Sequence, residues 1–327
     1  MKKITSYRNF GLLVGLAILL AAAAIVTPAM YSYSSVVSML RNNAVNGLLA
    51  IGMMFVLITG GIDLSIGSVL SLAGVISAMQ MSQNKELPTI VWVLLGILVG
   101  VLCGAFNGFL VGKLKMVPMI ATLGTMYIFR GLSFLFSGGK WLFPHQFTEG
   151  FINVAAAKSF GLYNIIWFEI IALILAGIFL GYMTAGRRIY AIGTNVESAY
   201  VAGINEGNVK LLAYTICGAL AGLAGMLYTG NYAMCSYSMG AGYEMKAIAI
   251  CILGGVSING GKGTIDGVII GSLMMSVITY FISLLPGLSV WQDAIQGAII
   301  IVAVIINVLM IKSAEKRVLK ERGALIR

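Results

Sequence analysis

The sequence predicts an all-α integral membrane protein of about ten transmembrane helices, with the N- and C-termini both on the cytoplasmic side. Three observations carry that expectation. The 327 residues are 59% hydrophobic and only 10% charged, where soluble domains carry roughly a quarter charged residues, and the mean hydropathy is +0.97. Apolar runs long enough to cross a hydrocarbon layer of about 30 Å recur along the whole chain. The basic residues fall on one side of the resulting pattern. Lys2, Lys3, Arg8, Lys113, Lys115, Arg187, Arg188, Lys210, Lys262 and the six between Lys312 and Arg327 make fifteen of the 21 Lys and Arg, and the positive-inside bias then puts those segments in the cytoplasm.

The spans are placed at 10–30, 43–60, 65–82, 89–112, 117–137, 164–184, 210–230, 243–259, 267–286 and 293–311, and residues 1–327 form a single transmembrane domain. The first run, from Phe10 to about Val26, follows three basic residues. Its length and the lack of a small-residue cleavage site favour an uncleaved span over a signal peptide. The second and third runs are separated only by Gly60 to Ser65, so 60–68 is either a cytoplasmic turn, as the charge distribution prefers, or a break inside the membrane. Near the other end, Gly254, Gly255, Asn259, Gly260, Gly261, Lys262 and Gly263 interrupt a second pair of runs, again followed by an acidic residue, Asp266. Matching Gly-interrupted segments in two halves suggest internal pseudo-repeats with a route between them; the plainer explanation is that glycine is common in membrane helices.

The fourth span carries Gly96, Gly100, Gly104, Gly108 and Gly112, and the seventh Gly218, Gly222 and Gly225. Glycines at such spacing let a neighbouring backbone come close, so both stripes predict tight helix packing rather than a substrate site. The longest outer segment, 138–163, holds Trp141, Phe143, His145, Phe147 and Phe151, a composition suited to the membrane interface or to an external partner. No Ser, Cys or carboxylate constellation accompanies His145, which is read as a surface histidine. The largest hydrophilic interruption is 185–210, which opens with Arg187 and Arg188 and has good helix formers from Asn195 to Val201.

Several function classes are excluded. The net charge of +10 is spread over loops and termini, which sets topology and does not make a nucleic-acid face. Cys103, Cys217, Cys235 and Cys251 lie apart without a CxxC pair, so they read as small buried fillers. Gly260 to Thr264 fails as a phosphate-binding loop, because Gly263 follows the lysine where Ser or Thr is needed and Val256 stands where the first glycine belongs. Serine or aspartyl intramembrane proteolysis lacks its partners. Ion coupling would leave ionisable groups inside the spans, yet Asp63, Arg130, Glu169, Glu244, Lys246, Asp266 and Asp293 fall nearly all at predicted ends, where long side chains snorkel. A permeation route would then be lined by small polar groups, with Asn46, Thr59, Asp63, Ser65, Asn107, Thr122 and Thr125 as candidates, each equally suited to a local helix-helix hydrogen bond.

The run from Asn46 to Gly74, NGLLAIGMMFVLITGGIDLSIGSVLSLAG, resembles the signature of the ribose and simple-sugar branch of bacterial ABC importer permeases. The resemblance continues through KMVPMIATLGTMYIFRGL, GRRIYAIGTNVESAYVAGIN and GYEMKAIAICILGGVSINGGKGTIDG. It implies a multi-pass permease subunit of the bacterial cytoplasmic membrane that pairs with a second permease subunit, of the same or a related chain. It also implies a separate ATP-binding subunit, which would hold ATP and Mg, and a periplasmic or extracellular binding protein; no cofactor is expected in this chain. The solute would be a neutral sugar, or the autoinducer-2 signal within the same branch; branched-chain amino acid permeases are the more distant alternative, and an ion-coupled transporter or intramembrane enzyme the different class. In this light 185–210 becomes the cytoplasmic coupling loop, its helical core at Asn195 to Ile204. Arg187, Arg188, Asn195, Glu197, Tyr200, Gly203 and Asn205 are then the residues expected to meet the ATPase.

Overall fold

The computed structural model describes residues 10–285, 287, 289–295, 297–298 and 301. In chain order it contains α1 (Phe10–Val26), α2 (Tyr33–Ile58), α3 (Ile66–Gln83), α4 (Thr89–Gly108, prolonged by one π-helical turn, Phe109–Lys113) and α5 (Pro118–Ser137). There follow α6 (Glu149–Ala156), the two-residue strands β1 (Lys158–Ser159) and β2 (Leu162–Tyr163), and α7 (Asn164–Tyr182). The rest is α8 (Thr184–Thr194), α9 (Val196–Val201), α10 (Glu206–Tyr232), α11 (Tyr243–Leu253) and α12 (Ile265–Leu284). Among the described residues six helices, α2, α4, α5, α7, α10 and α12, are long and apolar enough to cross a membrane. The expected tenth span, 293–311, is described only at isolated residues up to 301, and Lys2, Lys3, Arg8 and the basic tail 312–327 lie outside the described residues.

The bundle is organised around α2, α3 and α10. From Gly47 to Ile58 every residue of α2 is buried, the condition of a helix that is apolar on all sides. Toward lipid the outer helices present apolar side chains: Ile90, Leu94, Leu98, Leu102 and Phe106 run along one stripe of α4, and Ile171, Ile174, Leu175 and Ile178 along α7. The opposite stripe of α4 is its glycines, and it meets the glycines of α10. A Cβ on Gly100 would stand 2.1 Å from the Gly218 carbonyl oxygen, and one on Gly222 would stand 2.2 Å from that of Gly96. Gly218 and Gly222 thus form with the α4 glycines the two sides of one antiparallel seam, while Gly225 packs against Leu70 and Gly74 of α3.

Helix ends follow local chemistry. Ser32, Thr148, Asn195, Asn205 and Thr264 each accept a hydrogen bond from a backbone N–H in the first turn of the helix they precede, and Pro118 opens α5, the position where a missing N–H costs nothing. These signals move several predicted boundaries. The second span begins at Tyr33 rather than 43, because the Ser32 cap starts a helix whose first turns, with Ser34, Ser35, Ser38, Arg41 and Asn42, are too polar to register in hydropathy. The eighth does not run over 243–259: α11 ends at Leu253, where Gly254 and Gly255 turn the chain, the latter at φ 75°. Its 11 residues rise only about 16 Å.

One end of the bundle carries α8, α9, the break at 59–65 and the loop 254–264; the other carries α6, the β1–β2 hairpin and the segment 233–242. The outer aromatic residues divide. Phe147 and Phe151 are buried, with α6 packed so closely on α10 that a Cβ on Gly230 would be 2.8 Å from the Phe151 carbonyl oxygen, whereas Trp141 and Phe143 are exposed, the latter stacked on His145. Segment 233–242 is joined to the outer loop by paired Leu142 and Cys235 backbone hydrogen bonds of 3.0 and 3.2 Å. It then descends along α3, where Ser71 Oγ donates to the Tyr237 carbonyl oxygen at 2.7 Å. Arg130 is not at a helix end with its head in solvent: its Nη1 donates to the carbonyl oxygens of Tyr237 (2.9 Å) and Met239 (2.6 Å). Glu169 likewise turns inward, against Gly47 of α2, with Ser272 Oγ donating to it at 3.3 Å.

Candidate functional site

Two adjoining features at the α8 end concentrate the unusual geometry. The first is the break between α2 and α3. Thr59 closes α2 by donating its hydroxyl to the Val56 carbonyl oxygen at 2.7 Å, Gly60 takes φ 75° at an exposed position, and the chain then turns inward: Asp63 is 1% exposed and Ser65 fully buried. Asp63 Oδ1 accepts from Ser65 N at 2.9 Å and from Ser65 Oγ at 2.7 Å. Asn107 Nδ2 donates to Ser65 Oγ at 2.7 Å and lies 3.4 and 3.5 Å from the two carboxylate oxygens. Asp63 has no basic partner among the described residues, where the ion pairs are Lys115 and Lys210 with Glu206. Its three donors, with the N-terminus of α3 just beyond, replace the solvation that burial removes.

Of the polar residues predicted from sequence, four come together here. Thr122 Oγ1 is 2.8 Å from the Pro118 carbonyl oxygen and 3.4 Å from that of Ile62, beside Asp63, Ser65 and Asn107. Thr125 is one turn along α5 and donates to the Thr122 carbonyl oxygen; Asn46 lies higher on α2, its Oδ1 buried and without a hydrogen-bond partner among the described residues. Sequence reasoning missed Tyr214, whose hydroxyl donates to the Ile62 carbonyl oxygen at 2.9 Å and fixes the break to α10. A tyrosine on the face of α10 that also carries Cys217 and Gly218 was the available signal. Among the described residues no three His, Cys, Asp or Glu side chains converge to hold a metal.

The second feature is the hydrophilic interruption 185–210, which resolves into three pieces rather than one helix at Asn195 to Ile204. Arg187 and Arg188 lie on the exposed face of α8, opposite the buried Gly186, Ile189 and Ile192, and Arg187 Nη1 donates to the Tyr182 carbonyl oxygen at the end of α7. Asn195 is the joint: extended backbone ends α8, and its Oδ1 accepts from Ser198 N at 2.7 Å to start α9. Glu197 occupies the first turn of α9, and Tyr200 and Val201 are 79% and 87% exposed. Gly203 ends α9 at φ 75°, and Asn205 caps α10.

The two features touch through bare backbone. Gly261 N donates to the Ile58 carbonyl oxygen at 2.9 Å, and a Cβ on Gly193 would fall 1.7 Å from that same oxygen and 2.5 Å from Gly261 N. Tyr190 Oη donates to the Gly263 carbonyl oxygen at 2.8 Å. The end of α8 is therefore wedged where the break after α2 meets the loop after α11, and the glycines around Lys262 serve this junction. Close packing of this kind passes displacement on with little slack.

Comparison with known proteins follows the same outline. The chain matches the family model described as branched-chain amino acid transport system / permease component over residues 35–304. It is 34% identical over 300 residues to the ribose import permease protein RbsC of Bacillus subtilis, covering 92% of each chain, and 32% identical over 298 residues to the RbsC of Escherichia coli strain K12, covering 90% of this chain and 92% of the relative. The autoinducer 2 import system permease protein LsrC of Salmonella choleraesuis is 35% identical over 254 residues, 78% of this chain and 72% of that one. No solved structure matches.

Proposed function

The chain belongs to the branched-chain amino acid transport system / permease component family, a multi-pass membrane permease, and from that premise we propose that it is the transmembrane subunit of an importer for a neutral sugar or sugar-like solute. In this reading it sits in the bacterial cytoplasmic membrane with the α8 end in the cytoplasm. It pairs there with a second permease subunit, takes solute from an external binding protein, and is driven by a separate ATPase subunit that holds ATP and Mg. Relatives named for ribose and autoinducer 2 support a small hydroxylated cargo. The description of the family model keeps a branched-chain amino acid as the second reading.

The observation that carries the proposal is the wedge of α8. Arg187 and Arg188 on α8, with Glu197, Tyr200 and Val201 on α9, form an exposed face suited to the ATPase, while Asn195, Gly203 and Asn205 shape its turns. Behind it, Gly193 and Tyr190 bear on Ile58 and on Gly261 and Gly263. A push on α8 therefore reaches the foot of α2 and the start of α12 together, and the helices move as packed bodies between two arrangements. Asp63, Ser65, Asn107 and Thr122 hold the broken segment rigid while it moves; with Thr59, Thr125 and Asn46 they are the polar groups nearest the route. Purification of the chain from its native membrane under mild detergent tests this. A co-purifying ATPase and ATP-dependent uptake of D-ribose with the binding protein are expected. Uptake driven by a sodium or proton gradient, with no ATPase present, would overturn it.

A further inference from the structure

At the hairpin end, α11 starts well inside the bundle. Segment 233–242 is drawn down along α3 by Ser71 and Arg130, and a Cβ on Gly67 would stand 2.3 Å from the Gly240 carbonyl oxygen. Eleven residues later α11 reaches the 254–264 loop at the α8 end, so all of it lies within the depth of the bundle. Lys246 is therefore not the snorkelling residue of a full span. An ionisable side chain at such depth faces water, a partner or a ligand.

The side chains around Lys246 differ from those on the lipid-facing stripes of α4 and α7. Its Nζ lies 4.9 Å from the centre of the Tyr243 ring. Tyr243 meets Tyr228 at 6.0 Å, and Tyr228 meets Tyr232 at 4.7 Å. Tyr232 is 42% exposed. Beside them Arg41 donates to Asn231 Oδ1 at 2.6 Å and to its carbonyl oxygen at 2.9 Å, with its guanidinium 4.1 Å from the centre of the Tyr163 ring; this fixes the end of α10 that carries the tyrosines. An interfacial aromatic belt would set its tyrosines singly toward the headgroups. Here three rings from α10 and α11 pack in a row that ends on Lys246.

We propose that Tyr228, Tyr232, Tyr243 and Lys246 form a water-facing recess at the mouth of the solute route, with Arg41 as a positioning residue, and that it receives a neutral hydroxylated solute released by the binding protein. Ring faces cover the C–H surface of such a solute, while Lys246 and the phenol hydroxyls exchange hydrogen bonds with its hydroxyls. The inference rests on the import reading above and gives it an entry site.

Two measurements on the assembled transporter test it. In right-side-out vesicles Lys246→Cys is expected to react with a membrane-impermeant thiol reagent, against a low background since Cys103, Cys217, Cys235 and Cys251 are all buried. Reaction only with a membrane-permeant reagent, or cross-linking of two copies through the introduced thiol without aqueous labelling, overturns the recess whatever the cargo. In uptake of D-ribose, Tyr243→Ala and the more exposed Tyr232→Ala are each expected to lower the rate about tenfold, equivalent to one stacking and hydrogen-bonding contact, with unchanged ATPase content. Tyr243→Phe is expected to keep most of the rate. Wild-type uptake by both alanine variants overturns the solute role. If the wild type itself takes up no ribose with ATP, the import of this sugar falls, while aqueous labelling of the Lys246→Cys variant still supports the water-facing recess.

Discussion

The two interruptions that bear on α8 have the same place in the bundle and opposite chemistry. The break after α2 is buried and polar, built on a carboxylate that three donors satisfy. The loop after α11 is rich in glycine and is held by backbone hydrogen bonds, with Ser257 N donating to the Lys262 carbonyl oxygen and Gly261 N to that of Ile58. The difference shows two ways to end a helix inside a membrane protein without orphaned polar groups: import a side-chain acceptor, or fold the backbone onto a neighbour. The two segments correspond in their contact with α8, and the hydrogen bonds of Asp63 to Ser65 and Asn107 are what stiffen the first.

Substitutions can break this pairing, and their effects differ in size. The largest is expected at the shared contact. Gly193→Val places a Cβ within 1.7 Å of the Ile58 carbonyl oxygen, a backbone collision that no rotamer relieves, so destabilisation of more than about 4 kcal/mol is expected. Thermal unfolding in detergent and loss of assembled complex would measure it; a wild-type melting profile would show that α8 does not bear on α2. Next is Asp63→Ala, which strips the acceptor from Ser65 N–H, the Ser65 hydroxyl and the Asn107 amide at once. About 3 kcal/mol is expected, with Asp63→Asn recovering part of it by keeping one carbonyl acceptor. Equal melting temperatures for the two variants would remove the carboxylate from its structural role.

Tyr214→Phe removes one hydrogen bond to the Ile62 carbonyl oxygen, for about 1 kcal/mol, and no change in the second interruption. Smallest for the fold is Glu197→Trp on the exposed α9, within about 0.5 kcal/mol of wild type. Membrane insertion is expected to survive while ATP hydrolysis separates from uptake; coupling unchanged in the Glu197→Trp variant would remove α9 from the ATPase face. Gly203→Trp sharpens the same comparison, since its added φ strain of about 1 kcal/mol sits in open space.

Much of the bundle was legible before folding, because each apolar run, cap and glycine stripe is a local pattern. Asp63, Ser65, Asn107 and Thr122 could be picked out as polar groups among apolar ones, but not as one knot. Sixty residues separate Ile62 from Thr122, and 152 separate it from Tyr214. Within the hydrophilic run 185–210 a helix could be seen at Asn195 to Ile204, but not α8 from Thr184, because the amphipathic order of Gly186, Ile189 and Ile192 has meaning only against a buried surface.

By itself, then, the sequence determined an all-α membrane protein and the residue types that permit close approach, since hydropathy, capping and glycine spacing act over a few turns. Only the tertiary structure decided that the stripes of α4 and α10 face each other, that α11 is too short to span, and that Gly193 closes on Ile58. Those outcomes depend on which distant backbones share a seam, and helix–helix packing in a bilayer is set by that mutual fit.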